Sequence, residues 1–123
     1  MTNLLPDLLF DQSIVSSFTV LEYVPSDLDF LLKLRITLTD QSALFTHERI
    51  LRGVRNYSFH WQTMDNRAIM RWDNAPHHRQ ITTFPHHLHD YRSTPETVGD
   101  SHNITLTEVL DYISRYLNQP TKP

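Results

Sequence analysis

Two runs, Val54 to Met64 and Arg67 to Asn74, flank the dipeptide Asp65-Asn66. No other feature limits the fold of this chain as much. Asp and Asn tolerate the positive φ of a tight two-residue turn, so the runs are predicted to pair as antiparallel strands. That turn sets Met64 opposite Arg67, Trp61 opposite Met70, His60 opposite Arg71, Phe59 opposite Trp72 and Ser58 opposite Asp73. Directly opposed residues share a face. One face collects Tyr57, Phe59, Trp61, Met70 and Trp72 and reads as core. The other collects Ser58, His60, Gln62, Arg71 and Asp73, polar groups of different chemistry on a rigid platform.

The flanking sequence extends this hairpin into a sheet. Ile14 to Tyr23 is rich in β-branched and aromatic residues and predicts a strand. From Leu28 to Leu38 apolar and polar residues alternate with period two, which predicts a strand with one wet face. Asp40-Gln41 is expected to turn it into a strand over Ala43 to Arg52, with Lys33 facing Glu48 and Ile36 facing Phe45. Leu4 to Phe10, with Pro6 in its first turn, predicts a short N-terminal helix. Thr105-Leu106-Thr107-Glu108 fits a capping box and opens a C-terminal helix with an apolar face. The expected architecture is α+β: an antiparallel sheet of about five strands in meander order, with both helices packed on one face. Residues 1–118 are expected to form a single domain, and 119–123, with two prolines, are expected to fray.

Composition removes several function classes. The chain of 123 residues has no cysteine, so thiol nucleophiles, disulfides and Cys-based zinc fingers are excluded. Its two glycines, Gly53 and Gly99, cannot build a Gly-rich phosphate loop. No apolar run approaches the ~20 residues of a membrane span, and no basic n-region opens the chain, so a cytoplasmic protein is expected. The net charge of −3 hides an asymmetry. Seven arginines and four acids lie between His47 and Arg92, together with seven of the eight histidines. An anionic ligand suits that segment.

The histidines carry the chemistry. Pro76-His77-His78 and Pro85-His86-His87-Leu88-His89 are expected on loops or short extended pieces that fold beside the strand end bearing Asp73. Two imidazoles titrating near neutrality can exchange protons in RNA transesterification. Arg71 offers a planar fork for phosphate, Asp73 can orient an imidazole, and Tyr57 or Tyr91 can stack on unpaired bases. Alternatively, His87-Leu88-His89 with another histidine and Asp73 can hold zinc or another divalent metal. A non-enzymatic module that binds RNA or protein through the basic segment is a third possibility. His47 and His102 lack polar partners in the expected register and read as structural.

At Tyr57-Ser58-Phe59-His60-Trp61-Gln62, Arg71-Trp72-Asp73-Asn74-Ala75-Pro76-His77-His78 and Thr83-Phe84-Pro85-His86-His87-Leu88-His89, the chain resembles the TumE family of toxin components from prokaryotic toxin–antitoxin modules. Members of that family often carry Asp-Gly where this chain has Asp65-Asn66. The resemblance implies a small cytoplasmic growth inhibitor with a cognate antitoxin. The motif positions are taken as His60, Arg71, Asp73, His78, His86 and His87 for catalysis, and Tyr57, Gln62, His77 and His89 for substrate contact. The expected activity is a metal-independent endoribonuclease using histidine and arginine, with no cofactor. The alternatives are a metal-dependent hydrolase or nucleotidyltransferase on the same histidines, and a binding module.

Overall fold

The computed structural model describes residues 13–119. Seven antiparallel strands follow one another in meander order: β1 (Val15–Pro25), β2 (Asp29–Leu38), β3 (Ala43–Leu51), β4 (Val54–Gln62), β5 (Ala68–Asp73), β6 (His87–Asp90) and β7 (Thr97–Asp100). A helix, α1 (Leu106–Leu117), completes the described chain. The meander and the C-terminal helix agree with the sequence, but the sheet has seven strands rather than about five. β6 and β7 are only four residues each, too short for period-two alternation to show. The histidines of 87–89, expected on a loop or short extended piece, therefore sit in a strand. The helix expected over Leu4 to Phe10 lies outside the described residues.

One face of the sheet is the core. Leu34, Ile36, Leu44, Phe59, Trp61 and Met70 are each buried to within 1% of full burial. The helix covers this face with Val109, Leu110 and Ile113, all 0% exposed. Its outer tyrosines pack edge-on against the indoles, Tyr116 on Trp61 at 5.3 Å and Tyr112 on Trp72 at 5.6 Å between ring centroids. Thr105 caps the helix as the sequence predicts, with its side chain accepting from the Glu108 N–H and Glu108 reaching back to the Thr105 N–H.

Two registers correct the sequence reading. Between β2 and β3 the pairs are Lys33 with His47 and Ile36 with Leu44, one residue away from Lys33 with Glu48 and Ile36 with Phe45. The cause is the connection. Leu38 N–H bonds to Ser42 C=O at 2.9 Å, so three residues rather than two turn the chain. Gln41 takes φ 72°, and the Asp40 carboxylate accepts from the Ser42 N–H at 3.0 Å. At β4–β5 the loop again has three residues, Met64 to Asn66, with Thr63 N–H bonded to Arg67 C=O at 2.8 Å and Asn66 at φ 68°. Met64 therefore does not oppose Arg67. An irregularity between Trp61 and Gln62 absorbs the extra residue, and the predicted pairs from Trp61–Met70 to Ser58–Asp73 all form.

Candidate active site on the open face of the sheet

Strand pairing places polar residues in rows on the face opposite α1. One row runs Arg35, Phe45, His60, Arg71, His89 across β2 to β6. The next runs Lys33, His47, Ser58, Asp73, His87. Because side chains alternate, the residues that bury Phe59, Trp61 and Trp72 under the helix aim His60, Arg71 and Asp73 the other way.

Asp73 is the hub. It is 5% exposed and receives three groups. The Ala75 N–H donates to Oδ1 at 2.9 Å, Arg71 Nε donates to Oδ2 at 3.1 Å, and His87 Nε2 stands 3.0 Å from Oδ1. His87 is 2% exposed and its Nδ1 donates to the Pro85 carbonyl at 2.9 Å. His89 brings Nε2 to 3.6 Å from Asp73 Oδ2 and donates Nδ1 to Glu96 at 3.2 Å. His78, from the β5–β6 loop, sets its ring 4.7 Å from that of His87 and 5.4 Å from that of His89.

The loop returns to this place because the motif after β5 is a backbone lock. The Asn74 side-chain carbonyl accepts from the Tyr57 N–H at 3.0 Å and its amide donates to the Arg55 carbonyl at 2.8 Å. These bonds stand in for the ladder where β5 leaves the sheet. Asp73 turns the next residue through its bond to the Ala75 N–H.

His60 lies beside this hub, half-buried. Burial, with the Arg71 guanidinium and His89 nearby, lowers its pKa below that of free imidazole. Its Nδ1 is buried without a hydrogen-bond partner among the described residues, which raises the cost of the charged ring further. Tyr91 links the two sides of the row, edge-on to His60 at 6.3 Å and stacked on His89 at 5.9 Å.

His60, Arg71, Asp73, His78, His87 and His89 are thus brought together. Four other candidates are not. Tyr57 is 4% exposed on the core side, where its hydroxyl bonds to His86 Nδ1 at 2.9 Å and to the His102 carbonyl at 3.1 Å. His86 stays with it, away from His60. His77 is exposed in the loop, and Gln62 turns its amide to Asn66 at 2.9 Å at the far end of the hairpin. Three contributors escaped the sequence reading. His47 faces the site because the β2–β3 register moves it there, and burial with Lys33 and Arg49 lowers its pKa. Arg35 joins the same face, its only described partner being the Phe45 ring at 5.9 Å. Glu96, which holds His89, sits in a turn-rich stretch that carries no pattern. His102 also has a partner that the sequence did not show, Glu108 at 3.0 Å.

A family model described as Toxin TumE matches residues 5–117. The chain belongs to the TumE family. The family motifs therefore have distinct jobs here: Asp-Asn-Ala locks the backbone, while His87 and His89 converge on the aspartate and His78 joins them. TumE membership makes the chain a toxin component of a toxin–antitoxin system, and it implies an antitoxin partner. No curated protein and no solved structure matches the chain. No helix among the described residues is long and apolar enough to cross a membrane.

Proposed function

We propose that this toxin arrests growth by cleaving RNA in the cytoplasm. The row His60, Arg71, His89 carries the reading, because it sets a guanidinium between two imidazoles on adjacent strands. Neighbouring strands are about 5 Å apart, so one phosphate seated on Arg71 is within reach of both rings. His60, held neutral, takes the proton of a ribose 2′-hydroxyl as that oxygen attacks phosphorus. Arg71 stabilises the charge that builds on the non-bridging oxygens. The bond from phosphorus to the 5′ oxygen breaks on the opposite side, where the His78–His87–His89 cluster faces the leaving oxygen; that oxygen takes up a proton from water, and His60 returns its own to solvent. Arg35 extends the cationic face onto β2, where Lys33 is paired with Glu22 at 3.4 Å, and the rings of Phe45 and Tyr91 offer stacking surfaces for unpaired bases. Neither the transfer to His60 nor the hold of Arg71 requires a metal ion.

Incubation of the purified toxin with single-stranded RNA tests this. The expected products end in a 2′,3′-cyclic phosphate and a 5′-hydroxyl. Deoxyribose at the scissile position is expected to block the reaction, and His60→Ala and Arg71→Ala to lose it while remaining folded. Growth arrest by a His60→Ala, Arg71→Ala double variant would overturn the assignment.

A further inference from the structure

Two of the three imidazoles around Asp73, His87 and His89, have their outer nitrogens committed, and this fixes what their inner nitrogens present. The Pro85 carbonyl only accepts, so His87 Nδ1 holds the hydrogen and Nε2 of the neutral ring is a bare lone pair. That lone pair faces the Asp73 carboxylate at 3.0 Å. His89 repeats the pattern: Nδ1 donates to Glu96 at 3.2 Å, and Nε2 points at Asp73 Oδ2 from 3.6 Å. His78 adds a third nitrogen. One ring nitrogen from each of the three lies within 4.8 Å of the others. Lone pairs and carboxylate oxygens thus converge where the side chains of His87 and Asp73 are only 2% and 7% exposed. Such a convergence is costly unless a cation occupies it. Arg71 answers only part of it, through one bond to Oδ2.

We infer that His78, His87 and His89 form a binding site for a divalent transition-metal ion of the zinc class, with Asp73 as its adjoining carboxylate. Imidazoles with a carboxylate suit such ions, and a hard ion like Mg²⁺ prefers an all-oxygen shell. Nitrogens bound at about 2.1 Å to one tetrahedral ion stand about 3.4 Å apart. From within 4.8 Å of one another, the three nitrogens reach that spacing by approaching at most about 1.4 Å, with His78 on a loop and His87 and His89 on β6. A backbone carbonyl behind one ligand and a carboxylate behind the other is the arrangement that orients metal-bound histidine. The role of the ion in the toxin rests on the reading above: it supplies the positive charge beside the leaving oxygen. Binding itself rests only on the geometry. The rival occupants are two protons, one on each Nε2.

The test uses the untagged full chain, stripped with chelator and titrated with Zn²⁺ by calorimetry and with Co²⁺ by absorption. One ion per chain is expected, with the strong visible bands of four-coordinate Co²⁺. His78→Ala, at a loop position, is expected to weaken Zn²⁺ at least about 100-fold, and Glu96→Gln about 10- to 100-fold. His77→Ala, one residue away and exposed, is expected to leave the affinity unchanged. Absence of stoichiometric binding, or equal losses in the His77 and His78 variants, would overturn the inference. RNA cleavage that persists in EDTA by a chain that binds no metal sinks the metal site and leaves the ribonuclease standing. Tight binding without any cleavage of RNA does the reverse.

Discussion

Replacing Asp73 by Asn changes one atom at the centre of the site, and its consequence can be worked from the contacts. The amide keeps the shape of the carboxylate, and its oxygen keeps the Ala75 N–H. Its nitrogen then takes the place of Oδ2 and faces Arg71 Nε, donor against donor, where a bond of 3.1 Å stood. A hydrogen bond between charged groups contributes about 1.5–3 kcal/mol. The Arg71 side chain is 37% exposed and regains some water, so the lower end applies to it. His87 Nε2, 2% exposed, reaches this carboxylate through the cation that lies between them, a proton in EDTA, and that link has no such relief. Together the variant is expected to lose about 2–3 kcal/mol, which for a chain of this length lowers Tm by roughly 10 °C. Trp61 and Trp72 are 0% and 3% exposed, so indole fluorescence during urea unfolding, in EDTA and at neutral pH, reports the transition. Asp27→Asn, at an exposed turn, serves as the control and should leave the midpoint unmoved. A loss below about 0.5 kcal/mol for the Asp73 variant would refute its place as the hub, since ordinary surface changes are of that size.

Three further outcomes follow from the same contacts. Tyr57→Phe removes a hydroxyl that joins His86 to the His102 carbonyl; a loss of about 1 kcal/mol is expected in urea unfolding, with RNA cleavage retained, because neither partner lies in the His60 row. Arg71→Lys keeps the charge but not the planar fork, so kcat for RNA should fall while salt-dependent binding of RNA changes little; equal loss of both would show that Arg71 only attracts the strand. His60 and His47 both have folded pKa values below the 6.5 of the unfolded ring, through burial first and neighbouring cations second. The unfolded chain thus takes up protons first as pH falls. Stability is expected to be full above about 6.5 and to decline as pH drops from there through the folded values, and a His47→Gln variant should show a shallower decline. The acid limb of the kcat/KM profile should likewise sit below 6.5, which stopped-assay rates at several pH values would check.

The face assignment of the central hairpin was legible because two indoles and a methionine alternate with polar groups over strands of nine and six residues. The expected turn fails, and the Met64–Arg67 pair with it, yet the pairs from Trp61–Met70 to Ser58–Asp73 hold, since the core fixes which residues face inward and an irregularity near the turn takes up the difference. Between β2 and β3 no such correction intervened, and the single residue hidden in the Asp40–Gln41 turn misplaced His47. The helix start was legible because its capping chemistry is local to four residues. β6 and β7 were not, because four-residue strands depend on partners that are distant in sequence. For the site, proline-led histidine pairs marked the right neighbourhood, yet they could not distinguish His78, which joins His87 and His89, from His77, which does not. That difference is one of backbone direction after Ala75, set by bonds from the Asp73 and Asn74 side chains.

The rows also explain why core and chemistry cannot vary independently in this chain. His60 is held between Phe59 and Trp61, Arg71 between Met70 and Trp72, and Leu88 separates His87 from His89 on the core side. A one-residue slip of β5 would carry Arg71 under the helix and put Met70 or Trp72 in its place. Packing of Trp72 against Tyr112 and of Trp61 against Tyr116 therefore fixes the register of the guanidinium as well as the stability of the sheet. β6 has only four residues to resist such a slip, and Asp73 supplies what its length does not, gripping His87 and approaching His89 from the neighbouring strand. The carboxylate that organises the imidazoles is in this way also a fastener for the strand that bears two of them. Loss of chemistry and loss of register should then coincide in substitutions of Asp73 and of the core residues Met70 and Trp72, whereas Arg71, on the open face, can lose its chemistry alone.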